Sequence, residues 1–205
     1  MKKETIIIII LIVLILGGGI YYFINKSNKA KEDVVVQTDA ERFASEYSKV
    51  GTDNVFVYKS IDDIIDILEH GTGVVYLGFS SCPWCQQYAV YLNETAKNAG
   101  LDKIYYYDIK EDRANNTDKY QELLTILKGS LQYDDEGQPR IYVPDVTVVK
   151  EGKILGRDYE TSKDTGGFDN PTDYWTDKKV KALENKLSKL FNQVIDTTCT
   201  DCNKE

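Results

Sequence analysis

Four cysteines occur in the 205-residue chain, as two pairs of the same spacing: Cys82-Pro83-Trp84-Cys85 and Cys199-Thr200-Asp201-Cys202. Two thiols separated by two residues can exchange with disulfides, form a local disulfide or supply half of a zinc site. Haem attachment needs a histidine after the second cysteine, and Gln86 stands there. A four-thiolate zinc site would have to join both pairs, yet Pro83-Trp84 is a bulky spacer for a zinc knuckle. The single histidine, His70, is adjacent to neither pair. An inert disulfide at Cys82 and Cys85 stays open beside zinc, but dithiol exchange fits the pattern best. No metal or other cofactor is expected.

The elements around the first pair favour that chemistry. The apolar run Gly73–Phe79 has the length and composition of a buried strand. After the cysteines, Tyr88, Ala89, Tyr91, Leu92 and Ala96 share one helical face, and Gly100 closes the stretch. Free backbone N–H groups and the macrodipole at a helix start stabilise a thiolate. Cys82, at that edge, is the expected nucleophile, and Cys85, one turn in, the resolving thiol. Pro83 presets φ for the first turn. Trp84 offers an apolar face for substrate, or else covers the core.

The rest of the chain alternates strands and helices. Helix-start capping patterns occur at Thr38–Glu41 and Ser60–Asp63. Strands are expected at 55–58, 73–79 and 104–107, and a helical period recurs at Tyr120, Leu123, Leu124 and Leu127. Residues 131–140 read as a loop, followed by a hairpin of 141–149 and 153–155 and an acidic loop over 158–173. The clearest amphipathic helix carries Val180, Leu183, Leu187, Leu190 and Val194. This order predicts a three-layer α/β/α domain with a mixed sheet over 38–196. The acids of the 158–173 loop lack the spacing of a calcium-binding loop.

Thr5–Ile24 is uncharged and apolar, long enough to span a hydrocarbon core of about 30 Å. Asn28, three residues before the best cut after Ala30, is a poor signal-cleavage residue, so residues 1–24 are expected to be an uncleaved transmembrane anchor. Residues 25–37 would be a linker and 197–205 a flexible polar tail. Cysteines in close pairs suit an oxidising exterior, which places the C-terminal domain on the extracytoplasmic side of the cell membrane. A net charge of −8 excludes a nucleic-acid surface. A monomer is expected.

The strand-to-helix Cys82-Pro83-Trp84-Cys85, the later Ile141-Tyr142-Val143-Pro144 and the hairpin 146–154 together resemble the thioredoxin superfamily. The anchor, length and tail are most similar to exported thioredoxin-like proteins of Gram-positive bacteria, including bacteriocin transport accessory proteins. The resemblance implies thiol–disulfide oxidoreductase activity on protein or peptide disulfides, with a membrane electron donor or acceptor. It also implies that Pro144 is cis and faces the dithiol. The carbonyl and N–H of Val143 would then be free to pair with an extended substrate. Many thioredoxins place an acidic residue six positions before the first cysteine. Tyr76 stands there, so the proton of Cys85 must leave by another route. The bulky Pro-aromatic spacer differs from the Gly-Pro of reducing thioredoxins and does not fix direction; a reductant or isomerase fed by a membrane partner is expected. Cys199 and Cys202 are candidates for an auxiliary redox or disulfide pair. The competing function is a non-catalytic module that holds an exported peptide or a secretion complex. Copper delivery is disfavoured by the narrow cysteine spacing and the lack of a nearby histidine.

Overall fold

The computed structural model describes residues 37–195. The expected anchor, most of the linker and the Cys199/Cys202 pair lie outside them. Among the described residues no helix is long and apolar enough to cross a membrane.

Both capping patterns form reciprocal boxes. Helix α1 (Asp39–Glu46) starts with Thr38 Oγ accepting the Glu41 N–H at 3.2 Å and the Glu41 carboxylate accepting the Thr38 N–H at 2.9 Å. After β1 (Phe56–Tyr58), Ser60 and Asp63 do the same for α2 (Ile61–His70). Each box satisfies backbone donors that a helix start otherwise leaves open. Then come β2 (Gly73–Gly78), α3 (Pro83–Ala99) and β3 (Ile104–Asp108). Gly100, at φ 77°, ends α3 in the left-handed region as glycine readily does. Helices α4 (Lys110–Asn115) and α5 (Asp118–Leu127) follow. Strands β4 (Gln132–Tyr133), β5 (Pro139–Arg140), β6 (Asp145–Lys150) and β7 (Lys153–Asp158) precede α6 (Pro171–Tyr174) and α7 (Asp177–Phe191).

The main sheet has the order β1-β3-β2-β6-β7. Its first three strands are parallel, β6 is antiparallel to β2, and β7 to β6. Helices α3 and α7 pack together, as do α2 and α5. Val74 to Leu77 of the central β2 are all buried, as a strand covered on both faces must be. The expected α/β fold with a mixed central sheet is the one observed.

Four local readings are corrected. The run 141–149 is not one strand. The ladder starts at Asp145, because Pro144 has no N–H to give it and the peptide groups of Ile141 bond elsewhere. Residues 131–140, read as a loop, contain the small β4–β5 hairpin. The second strand of the main hairpin runs on to Asp158, and α6 occupies the end of the acidic loop. Helix α4 has no buried residue and therefore no apolar period to betray it.

The β6–β7 turn is Glu151-Gly152, both with positive φ (51° and 71°), the two-residue turn whose twist matches a hairpin. A Cβ on Gly152 would lie 2.0 Å from the Glu69 carbonyl oxygen. The Gly152 N–H donates to the Gly71 oxygen at 2.9 Å. Only glycine lets this tip dock on the end of α2.

Candidate active site

Strand β2 delivers the chain to Gly78 and α3 begins at Pro83, so the cysteines occupy the strand-to-helix junction. Cys82 is the N-cap of α3. Its Sγ accepts the Cys85 N–H at 3.1 Å, in place of the usual oxygen cap. Pro83 takes the first turn, where its missing N–H matters least. Gln86 pins the junction, its amide donating to the Ser80 and Glu46 carbonyls at 2.8 and 2.7 Å.

Both thiols are free. Hydrogen bonding to Cys85 and to the backbone N–H groups of Cys85 and Trp84 lowers the Cys82 pKa below the ordinary thiol value, against its partial burial; the Arg113 guanidinium adds a smaller pull. Cys85 is fully buried, and desolvation with the neighbouring Cys82 sulfur pushes its pKa well up. One thiol is poised to ionise and the other to hold its proton until a partner takes it. The two thiols thus differ in burial and in the direction of their pKa shifts.

The Val143–Pro144 bond is cis. Leu77 of β2 pairs with Asp145 of β6, so Pro144, just before the neighbouring strand, stands at the same end of the sheet as the dithiol. Among the described residues neither peptide group of Val143 makes a hydrogen bond, while Ile141 is held on both sides. Its N–H donates to Tyr120 Oη at 3.1 Å and its oxygen accepts from Arg113 at 3.3 Å. Trp84 is half-buried, with its ring edge-on to Tyr174 at 5.7 Å. It is both core cover and open face. His70 ends α2, at the opposite end of β2 from the cysteines, and its side chain is largely exposed. The structure thus brings Cys82, Pro83, Trp84, Cys85, Val143 and Pro144 to one end of the sheet.

Several contributors escaped the sequence. Arg113, on the polar α4, supplies the cation near the thiols and also braces Ile141. The Tyr76 hydroxyl, where an acid was sought, donates to the Cys85 carbonyl at 3.2 Å. Buried carboxylates arrive instead from the hairpin. Asp145 pairs with Arg157, and Asp158 accepts from Tyr88 Oη at 2.6 Å and from Lys186. Tyr88 lies one turn beyond Cys85 on α3 and stacks against Tyr76.

No family model and no curated protein sequence matches the chain. Among solved structures it is similar to oxidised thioredoxin O2 of Arabidopsis thaliana, at 17% identity over 67% of this chain and 96% of that one, with a TM-score of 0.38. Thioredoxin O1 of the same plant is 20% identical over 67% and 96%, with a TM-score of 0.37. The oxidised thioredoxin of Plasmodium falciparum is 14% identical over 66% and 99%, with a TM-score of 0.35. The strand order and the cysteine-capped helix of this chain give residues 37–195 a thioredoxin-like α/β fold with a mixed sheet and a free dithiol at its sheet end.

Proposed function

We propose that the protein is a thiol–disulfide oxidoreductase that reduces or isomerises disulfides of exported proteins or peptides. The Cys82 Sγ at the start of α3, taking the Cys85 N–H and favouring the thiolate, carries this reading. The thiolate attacks a substrate disulfide. A Cys82–substrate S–S bond forms, the substrate bond breaks, and one substrate sulfur leaves to take a proton from water. Cys85 then gives up its proton and attacks Cys82, expelling the second substrate sulfur. The substrate gains two electrons and the dithiol becomes a disulfide, which a thiol-bearing membrane donor returns to the reduced form. Isomerisation follows when a substrate thiol, rather than Cys85, resolves the mixed disulfide. The unbonded peptide groups of Val143 would align the substrate main chain beside Cys82.

The apolar segment Thr5–Ile24 supports a membrane anchor with the dithiol domain outside the cell. Cys199 and Cys202 are proposed as a pair that exchanges with Cys82 and Cys85. Changing both to Ser should slow turnover with the natural donor; unaltered turnover refutes that role.

The decisive assay is insulin-disulfide reduction by the full chain. Cys82→Ser should abolish it, and Cys85→Ala should accumulate mixed disulfides. A reduction potential at or above about −130 mV would mark an oxidant instead. A second reading, a non-catalytic binding module, draws on the low exposure of Cys82, at 8%. Equal insulin reduction by wild type and Cys82→Ser would favour it.

A further inference from the structure

Four arginines occur in the chain, and they fall into two classes. Arg42 pairs with Glu46, and Arg157 with Asp145. Arg113 of α4 and Arg140 of β5 form no ion pair with any described carboxylate, although acids outnumber bases by 33 to 25 in the chain. Both are half-buried, and both line a cavity of about 370 Å³ beside the segment that leads into Val143. Two guanidinium groups set together, partly out of water and without a counter-charge, are unfavourable. Burial and the Arg140 charge accordingly push the Arg113 pKa down.

Contacts fix where the two charges lie. Arg113 Nη1 donates to the Ile141 carbonyl oxygen at 3.3 Å, and its guanidinium carbon is 5.0 Å from the centre of the Phe79 ring. The Phe79 carbonyl oxygen in turn accepts the Cys82 N–H at 3.1 Å. Arg140 directly precedes Ile141, and its guanidinium carbon is 5.7 Å from the centre of the Tyr142 ring. Arg113 Nε and Nη2 and the whole Arg140 guanidinium have no hydrogen-bond partner among the described residues. None of these nitrogens is sealed from water. Both charges therefore lie along residues 140–142, next to Val143, and can take further acceptors. Neighbouring carboxylates are already committed. Asp134 Oδ1, on the same cavity, holds the Glu136 and Gln138 N–H groups at 3.1 and 2.7 Å. Asp112 accepts from Thr117 at 2.7 Å and from Tyr107.

What fits is an anion with paired oxygens, since the planar guanidinium presents paired N–H groups that match a carboxylate. An extended chain that pairs with the Val143 peptide and runs past Ile141 brings its next side chain on the same face about 7 Å further along. That position is two residues from the cysteine held at Cys82. We infer that Arg113 and Arg140 bind the carboxylate of an acidic residue two positions from the substrate cysteine, so that the site selects acidic disulfide segments. The role of the cysteine rests on the oxidoreductase reading; the binding of the carboxylate does not.

Two measurements on the full chain in detergent micelles test it. In the first, the symmetrical disulfide of acetyl-Glu-Gly-Cys-Gly-Glu amide is compared with its Glu→Gln counterpart, each rate divided by that for the neutral bis(2-hydroxyethyl) disulfide. Wild type should show a kcat/KM about tenfold higher for the glutamate peptide, and Arg113→Gln/Arg140→Gln should bring the two peptides level. The neutral reference removes any effect of the variant on Cys82 itself. Equal values in wild type, or a preference that survives in the double variant, overturn the proposal. In the second, wild-type ¹⁵N-labelled protein is titrated with acetyl-Glu-Gly-Ser-Gly-Glu amide, its Glu→Gln counterpart and sodium acetate. The Arg113 and Arg140 Nε–H resonances should move and saturate with the glutamate peptide, at about tenfold lower concentration than with acetate, and stay in place with the glutamine peptide. If the glutamate peptide moves neither resonance, or acts only as well as acetate, the proposal fails. A wild-type chain that reduces none of the three disulfides sinks the oxidoreductase reading, and the titration then decides the carboxylate site alone.

Discussion

The two halves of the sheet stabilise their interiors by opposite means. On the parallel side, β1, β3 and β2 bury an aromatic cluster. Phe43 stacks on Tyr47 and Phe56 at centroid distances of 4.2 and 3.8 Å, and the Tyr47 and Tyr106 hydroxyls satisfy each other at 3.1 Å. On the antiparallel side, β6 and β7 bury charge, with Asp145 against Arg157 and Asp158 against Lys186 and Tyr88. Aromatic packing tolerates small adjustments, whereas a buried ion pair tolerates almost none once a partner is lost. The dithiol stands at the seam. Cys85 faces the aromatic side through Tyr76, and the cis proline directly precedes Asp145 on the charged side. One half holds the helix that bears the thiols, and the other fixes the main chain that would meet a substrate.

That contrast is most sharply broken at Arg157. Arg157→Met should destabilise the fold by about 3–5 kcal/mol by stranding Asp145, while Asp145→Leu/Arg157→Met should recover most of the loss, both read by urea denaturation. If the single variant unfolds no earlier than wild type, the charged half is not held by this pair.

The seam itself predicts unequal thiols. The Cys82 pKa is lowered and that of Cys85 raised, so iodoacetamide at pH 7 should label Cys82 faster than Cys85, the two sites told apart by peptide mapping of the reduced wild-type chain. A lowered folded pKa means that the folded form binds fewer protons. The reduced protein should therefore gain stability from Cys82 as pH rises through its folded pKa towards the ordinary thiol value, and lose it on acidification; Cys82→Ser should remove that gain. Equal labelling rates would show that the helix start does not distinguish the two.

A smaller effect is expected where the halves are tied at the far end. Gly152→Ala puts a methyl group into the Glu69 carbonyl at a left-handed position, and should cost about 1–3 kcal/mol by thermal unfolding. An unshifted midpoint would mean that the hairpin tip is not docked on α2. Smallest is Tyr47→Phe, which removes one neutral hydrogen bond in the aromatic half, at about 1 kcal/mol. A loss as large as that of Arg157→Met would erase the contrast between the halves.

What the sequence disclosed follows the same division. Local signals carried the strand-to-helix dithiol, the two capping boxes, the hairpin and the last helix, because period, caps and turns act over a few residues. Asp145 and Arg157 lie twelve residues apart and meet only across a formed hairpin, so no local pattern announced them. Arg113 was missed because α4 is polar all round and presents no periodic face. The β4–β5 hairpin is made of two-residue strands, too short for alternation to register.

The sealed phenols of the interior give the molecule an optical property. Burial raises the pKa of Tyr47, Tyr76, Tyr88 and Tyr106 far beyond that of a free phenol. Their ultraviolet phenolate band should therefore stay silent in strong alkali while the fold persists and emerge in one step when it opens. The absorbance of the chain is a label-free gauge of how much of its interior has met water.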